Sequence, residues 1–183
     1  MTGKADDLLA HIPTREKGLP PVHLWNPDFC GHIDMRIARD GTWFYQGTPI
    51  GRPAMVKLFA GILRRDGDEY VLVTQVEKVV IVVDDAPFVA VDMQVSGEGE
   101  QQTLRFTSNV EDSFDAGEEH PLRVDIDPCS QEPSPYVRVR TNLEARIHRN
   151  VFYRLVELAV VRDGWLGVWS GGVFFPIGQD PGQ

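Results

Sequence analysis

The sequence predicts an α+β fold made of two similar strand-strand-helix-strand-strand repeats, packed together and forming mostly antiparallel sheets. Two observations support this prediction. Short apolar or alternating segments recur between glycine-containing turns, as in antiparallel strands. The segment 51–67 also returns as the segment 148–164, with Arg52 matching Arg149 at an offset of 97 residues. A unit this small buries its apolar face poorly on its own, so two copies are expected to pack against each other.

This pattern divides the chain into three parts. Residues 1–30 form a proline-rich N-terminal arm with one short helix, residues 31–110 the first repeat, and residues 111–183 the second.

The first repeat opens with a predicted hairpin around Asp40-Gly41, a dipeptide typical of a two-residue type I′ turn. Counting outward from that turn pairs Ile37 with Phe44 and Arg36 with Tyr45. Side chains alternate between the faces of a strand, so one face belongs to the core. The predicted core face holds Ile33, Met35, Ile37 and Phe44. The opposite face holds Asp34, Arg36, Trp43 and Tyr45.

A helix follows, with Pro53 in its first turn and apolar residues at helical spacing as far as Leu63. We expect the segment 64–67, Arg-Arg-Asp-Gly, to end this helix through cations at the dipole and a left-handed glycine. EYVLVT and KVVIVV are predicted strands, and PFVAVDMQV and QTLRFTS a further hairpin.

The second repeat is interpreted in the same way. LRVDID and YVRVR alternate as strands, residues 149–161 form a helix closed by Asp163-Gly164, and a last hairpin turns at Gly171-Gly172. In that hairpin Trp165, Gly167 and Trp169 share a face. The glycine either leaves a slot for a flat ligand or is covered by aromatic rings, and the second interpretation is preferred.

Composition excludes several classes of function. The formal net charge is −9, which disfavours nucleic acid and anionic membranes because both repel an acidic chain. The two cysteines are far apart, and the N-terminus has acidic residues where a signal peptide would be apolar. We therefore expect a cytoplasmic protein with no membrane span.

Catalytic signatures are absent from the sequence: it has no Walker loop, no GxSxG and no HExxH. Cys30, His32 and Asp34 alternate and could ligate a metal, or Cys30 and His32 could form a nucleophile pair. An ion pair between Asp34 and Arg36 at a hairpin edge is the preferred interpretation. No metal and no cofactor is predicted.

The residues predicted to contact a ligand fall into two groups. Aromatic rings beside an arginine on the hairpin face provide stacking area and a directional donor. In the second group, Arg52, Lys57 and Lys78 could form an anion pocket. Glu77-Lys78 is a charged pair at the position where the second repeat has Phe174-Phe175. The candidates are Asp34, Arg36, Trp43, Tyr45, Arg52, Lys57, Glu77 and Lys78.

The chain resembles, over nearly its whole length, a bacterial family known as domain-of-unknown-function family twelve-eighty-five. The resemblance lies in the segments DMRIARDGTWFYQGTPI, VEKVVIVVDDAPFVAV and VFYRLVELAVVRDGWLGVWSGGVFFPIG. The resemblance implies a cytosolic protein with two similar α+β halves, no established activity, and a role in ligand sensing or signal transduction. Gln75 departs from a proline in the family's pattern.

The sequence thus favours a non-enzymatic module that binds a small molecule or a peptide where the repeats meet. The alternative is an enzyme of undetected type that uses Cys30/His32 or the carboxylates of Asp34 and Glu77. A third possibility is a homodimer formed through extended strands such as YVRVR.

Overall fold

The computed structural model describes residues 4–13 and 18–182, and its backbone divides into two compact units, Met1–Asp85 and Ala86–Gln183. The sequence placed the boundary between repeats at residue 110. The structure divides the chain earlier because the hairpin over residues 88–108 belongs to the same sheet as residues 143–147.

The first unit begins with a short helix, and a six-stranded sheet interrupted by one helix follows. Its helices are α1 (Lys4–Ala10) and α2 (Pro53–Gly61). Its strands are β1 (Phe29–Ile37), β2 (Trp43–Tyr45), β3 (Thr48–Pro49), β4 (Leu63–Asp66), β5 (Glu69–Val73) and β6 (Lys78–Val83).

The sheet of the first unit has the order β3-β2-β1-β6-β5-β4. All neighbours are antiparallel except β1 and β6, which run parallel because the connection between them passes through α2. KVVIVV therefore lies near the middle of the sheet, and Val79, Val80 and Ile81 are buried. Central strands carry apolar residues on both faces, so this placement agrees with the sequence.

The register predicted for the first hairpin is wrong by one residue. Ile37 pairs with Trp43 rather than Phe44, because the connection is a three-residue loop that ends in Gly41 at φ 89°. The Asp40 carboxylate accepts the Thr42 N–H at 3.0 Å, and Asp40 keeps a negative φ. A type I turn followed by a left-handed glycine is the usual three-residue hairpin loop. A slip of one residue exchanges the two faces, so Trp43 faces the core.

The repeated Arg-Asp-Gly motif is also a turn between strands and not a helix cap. Helix α2 ends at Gly61, and Leu63 already belongs to β4. Gly67, at φ 61°, follows Asp66 in the two-residue turn that pairs Asp66 with Glu69.

The second unit contains two sheets and one helix, α3 (Arg149–Glu157). Its strands are β7 (Phe88–Ser96), β8 (Thr103–Ser108), β9 (Ser113–Asp115), β10 (Leu122–Ile126), β11 (Pro133–Arg140), β12 (Leu143–Ile147), β13 (Val160–Arg162), β14 (Trp165–Ser170) and β15 (Val173–Gln179). Helix α3 is shorter than the predicted 149–161, because Val160 already pairs with Gly167.

The first sheet of this unit has the order β10-β11-β12-β7-β8-β9, with β12 and β7 parallel; the second has the order β13-β14-β15 and is antiparallel. Buried hydrogen bonds join them. The Ser170 hydroxyl donates to the Ala116 carbonyl at 2.7 Å and accepts the Leu104 N–H at 2.9 Å. Gln102 Nε2 donates to the Trp169 carbonyl at 2.9 Å. The end of β14 is therefore fixed to the start of β8.

Each half contains a helix followed by a three-stranded meander: α2 with β4-β5-β6, and α3 with β13-β14-β15. The α+β class, the repeat and the mostly antiparallel sheets are confirmed. The halves differ in one respect. In the first half β6 pairs with β1 and completes a six-stranded sheet, whereas in the second half the meander is a separate sheet.

Among residues 4–13 and 18–182, no helix is long and apolar enough to cross a membrane.

Candidate functional site

The predicted polar-aromatic face of the first hairpin does not exist as one surface. Trp43 is only 1% exposed and stacks on Phe59, with ring centroids 6.3 Å apart. Its Nε1 has no hydrogen-bond partner among the described residues. Tyr45 is half-buried opposite Met35. The slip in register carries both aromatic side chains toward the core, so they cannot form the expected platform beside Arg36.

Arg36 remains exposed, but it is already engaged. Its guanidinium donates to Asp84 at 2.7 Å and lies 5.0 Å from the centre of the Phe44 ring. The ion pair expected with Asp34 is therefore replaced by one with Asp84, which follows β6. Asp34 is exposed on β1.

Lys78 belongs to a cluster centred on Asp66. Arg64 binds that carboxylate with two hydrogen bonds of 2.7 and 2.8 Å, and Lys78 Nζ lies 3.3 Å from it. The Arg64 hydrogen bonds, followed by the charge of Arg64 and the contact with Lys78, hold the pKa of Asp66 below its ordinary value despite partial burial. Arg64 also donates to the backbone carbonyls of Val22 and Trp25. This cluster attaches the segment that contains Val22 and Trp25 to β4, and Lys78 is engaged in it through Asp66.

The other candidates lie on separate elements. Arg52 is the exposed N-cap of α2, and Lys57 is exposed on the same helix. Glu77 is half-buried in a turn in which its N–H donates to the Thr74 hydroxyl at 3.1 Å. The eight predicted residues are therefore spread over β1, β2, α2 with its N-cap, the turn before β6 and the first residue of β6, and none of them lines the groove of the second unit.

The two carboxylates suggested as a catalytic pair, Asp34 and Glu77, also lie far apart. Lys78 lies opposite Phe29 and Val82 opposite Arg36. Asp34 and Glu77 are thus separated along the sheet by roughly 10 Å or more. An acid and a base this far apart do not act on one reacting atom.

A bulge in β1 at Gly31, whose φ is 97°, lies between Cys30 and His32. The Cys30 thiol donates to the Asp28 carbonyl at 3.3 Å, and the His32 ring is edge-on to Phe29. Within the described ranges, no group of three or more His, Cys, Asp or Glu is arranged to hold a metal ion.

The second unit contains a groove of about 490 Å³ between β10 and the last hairpin. Its floor and walls are apolar, apart from two carboxamides. It is lined by Val124, Ile126, Gln131, Trp165, Pro176, Ile177, Gly178 and Gln179. Trp165 is 46% exposed and Ile126 45% exposed, so two large apolar side chains of the groove face solvent. We call this feature the Trp165 groove.

Local structure fixes the position of each wall. Val124 and Ile126 lie two residues apart on β10, so their side chains share a face. Trp165 pairs with Gln179 across the last hairpin, and the Asp180 N–H donates to the Gly164 carbonyl at 3.1 Å. Both β10 and β15 are edge strands. These two edge strands lie beside each other, and the groove lies between them.

The two carboxamides of the groove can play different hydrogen-bonding roles. Gln131 Nε2 donates to the carbonyls of Asp127 and Pro128 within its own loop, at 3.4 and 3.2 Å. This leaves the Gln131 side-chain oxygen as an acceptor. Gln179, on β15, offers both a donor and an acceptor. The groove can thus accept and donate hydrogen bonds over an apolar floor.

The slot proposed between Trp165 and Trp169 is closed. A Cβ atom on Gly167 would lie 2.5 Å from the Phe174 ring and 2.6 Å from the Phe175 carbonyl. Phe174 also packs edge-on against Trp169, with centroids 5.4 Å apart. The preferred sequence interpretation, an aromatic ring covering a strand glycine, is confirmed.

Sequence reasoning missed the Trp165 groove because its walls come from three separate segments of the chain. The one available signal was Trp165 itself, a large aromatic residue that directly follows a turn. Sequence alone does not predict that β10 lies beside β15.

Comparison with known proteins supports the resemblance. A family model described as a domain of unknown function (DUF1285), N-terminal domain, matches residues 20–86, and the corresponding C-terminal domain model matches residues 87–177. No curated protein was found to match the chain.

Two solved structures are similar to this chain. A DUF1285 family protein from Silicibacter pomeroyi DSS-3 is 58% identical, with a TM-score of 0.91 over 98% of this chain and 96% of its own. A DUF1285 family protein from Shewanella baltica OS155 is 28% identical, with a TM-score of 0.53 over 67% of this chain and 90% of its own. The chain belongs to the DUF1285 family.

Proposed function

We propose that the chain is a non-enzymatic, cytoplasmic binding module of bacterial signal transduction, and that it takes a small molecule or a peptide in the Trp165 groove. The observation that carries the proposal is the exposed indole of Trp165 in a groove of about 490 Å³. Ligand sites usually have volumes of this order and combine apolar walls with a few polar groups.

The character of the lining supports binding over catalysis. All eight lining residues are uncharged, and none of them is a nucleophile or a general acid or base. The apolar floor provides affinity and the two carboxamides provide direction. The first-unit candidates support this placement indirectly, because Arg36 and Lys78 are engaged in ion pairs and Trp43 is buried.

A thermal-shift screen of the purified protein against metabolites, nucleotides and short peptides tests the proposal. A ligand that binds only the folded state stabilises it by about 2.7 kcal/mol at a hundredfold excess over its dissociation constant. We expect at least one compound to raise the melting temperature of the wild type and to lose this effect in Trp165→Ala.

Tyr153→Ala is the matched control, because Tyr153 is also an exposed aromatic residue of the second unit but lies on α3 outside the groove. It should retain the whole shift. A hit that survives Trp165→Ala, or an absence of hits across the screen, would argue against the Trp165 groove as the binding site.

A further inference from the structure

Carboxylates flank the Trp165 groove on two of its walls. The β10–β11 turn brings Asp127 next to Ile126 and Glu132 next to Gln131, and the Asp127 N–H donates to the Glu132 carbonyl at 3.0 Å. On the other wall, Asp163 lies in the turn that leads into Trp165. Asp180 directly follows Gln179. The apolar floor is thus bordered by negative charge on both sides.

Among the described residues, Arg162 is the cation found beside these carboxylates, and it lies next to Asp163. Asp127 accepts the backbone N–H groups of Ser130 and Cys129 at 2.7 and 2.8 Å, and these bonds lower its pKa. Asp180 accepts the Gly182 N–H at 2.9 Å. Asp163 lies 3.5 Å from Arg162, but its side chain is 88% exposed. The border therefore presents several carboxylates to solvent.

We propose, on the basis of the function proposed above, that the occupant of the Trp165 groove is an extended peptide segment in which a Lys or Arg flanks aliphatic or aromatic residues. The apolar floor takes the aliphatic or aromatic side chain, and Trp165 stacks on it or on the cation. The carboxylates at the border take the basic side chains. The Gln131 and Gln179 carboxamides bind the peptide groups between them.

An extended segment fits the geometry of β15. Pro176, Ile177, Gly178 and Gln179 are consecutive and all line the groove. β15 carries a bulge at Ile177, because Gly167 pairs with Pro176 and Leu166 with Gly178, so consecutive residues can reach the groove. The bulge leaves the Ile177 backbone out of the ladder with β14, and β15 is the outermost strand of its sheet, so backbone groups here can meet those of a peptide. Pro176 removes one donor from this edge, which leaves the carbonyls and the remaining N–H groups.

Four probes test the charge and the length of the occupant. They are acetyl-Lys-Leu-Phe-Lys-amide, its Gln and Glu counterparts with the same Leu-Phe centre, and phenethylamine. Binding is followed by the change in tryptophan fluorescence of the full chain, with Trp165→Phe as the reference that lacks the reporting indole. We expect the lysine peptide to bind at least tenfold tighter than the glutamate peptide at low salt. This advantage should shrink at high salt, because exposed charges are screened.

Two charge-neutralising variants locate the effect. Glu132→Gln combined with Asp163→Asn keeps the shapes of both turns, since Asn suits the left-handed φ of 51° at position 163. This double variant should weaken the lysine peptide by roughly fivefold and leave the Gln peptide unchanged. Asp68→Asn with Glu69→Gln, in the turn of the first unit, changes the net charge equally and should have no effect.

Each other outcome has a definite meaning. Equal binding of the three peptides, or an equal loss in the control variant, overturns the cationic-peptide inference. If phenethylamine binds as tightly as the lysine peptide, the occupant is a small amine and the peptide inference fails. If a neutral compound from the thermal screen binds through Trp165 and no peptide does, the proposed function stands and this inference fails. If neither class responds to Trp165, both fail.

Discussion

Ser170 joins the two sheets of the second unit through its buried hydroxyl. It is fully buried, and its hydroxyl is a donor to one backbone group and an acceptor from another. A buried hydroxyl with both roles satisfied stabilises the fold, whereas its removal leaves two backbone groups without a partner.

Ser170→Ala should therefore lower the free energy of unfolding by about 2–4 kcal/mol, since the Leu104 N–H and the Ala116 carbonyl both lose a partner. Urea unfolding followed by circular dichroism measures this change. Ser96→Ala, at an exposed position of β7, should change it by less than about 0.5 kcal/mol. Equal effects of the two substitutions would contradict the role assigned to Ser170.

Gly167 is a position where only hydrogen fits. An added Cβ would meet the Phe175 carbonyl, which is backbone and cannot rotate away, as well as the Phe174 ring.

Gly167→Ala should destabilise the protein by about 1–3 kcal/mol, the usual cost of overpacking. Gly178→Ala is the control within the same hairpin, because its Cβ would meet nothing within 4 Å. Thermal unfolding compares the two variants, and a Gly178 variant as unstable as the Gly167 variant would show that the Phe174 contact is not the cause.

At the scale of elements, the Arg64–Asp66–Lys78 cluster joins β4 to the segment that contains Val22 and Trp25. Trp25 packs against the buried side chains of Val71, Val73 and Val80. The hydrogen bonds of Arg64 thus hold that ring in place over the sheet.

The pH dependence of this cluster follows from the lowered pKa of Asp66. The folded protein binds the Asp66 proton more weakly than the unfolded chain does. The resulting stability is present above the ordinary pKa of about 3.8 and is lost as the pH falls through the lowered value. Asp66→Asn should therefore destabilise the protein at pH 7, and the difference from the wild type should shrink under acid conditions.

Urea unfolding of both proteins at several pH values from 7 down to about 2, below the ordinary pKa of Asp66, measures that difference. Asp68→Asn removes a carboxylate from the same turn without touching Arg64 or Lys78, so it serves as the control. A wild-type-to-Asp66→Asn difference that stays constant with pH would contradict this account.

At the scale of the whole molecule, each unit contributes all the strands of its own sheets. The first unit has one six-stranded sheet, and the second has a six-stranded and a three-stranded sheet. Neither unit leaves a strand to be supplied by the other, and each has buried apolar residues of its own.

Residues 1–85 and 86–183 produced separately should therefore each fold. The expected result is a cooperative urea transition for each fragment and dispersed amide resonances in its NMR spectrum. A fragment that begins at residue 111 should fail to fold, because that cut separates β7 and β8 from β12. In a fragment of residues 1–110, only the first unit should fold. Folded 111–183 would contradict the assignment of the unit boundary.

The strand order of the second unit bears on the homodimer that the sequence suggests through YVRVR. YVRVR lies in β11, which is hydrogen-bonded to β10 on one side and β12 on the other. It offers no free edge. A homodimer remains a prediction, and the open edges of the second unit, such as β13 and β15, are better placed to form one.

The sequence by itself determined the α+β class, the repeated helix and meander, most strand positions and the family. These features depend on local periodicity, on turn residues and on motifs, all of which can be recognised along the chain. The Gly171-Gly172 turn is an example: both glycines have positive φ, and Ser170 pairs with Val173 as expected.

Tertiary structure decided which residues share a surface. One extra loop residue at Arg39-Asp40-Gly41 exchanged the faces of the first hairpin and buried Trp43, because a register depends on the whole turn and on the core it faces. Arg36 forms an ion pair with Asp84, and Lys78 forms one with Asp66, and neither partner is adjacent in the sequence. The Trp165 groove formed where β10 meets the last hairpin, and no local pattern encodes that meeting, because it depends on packing between segments far apart in the chain.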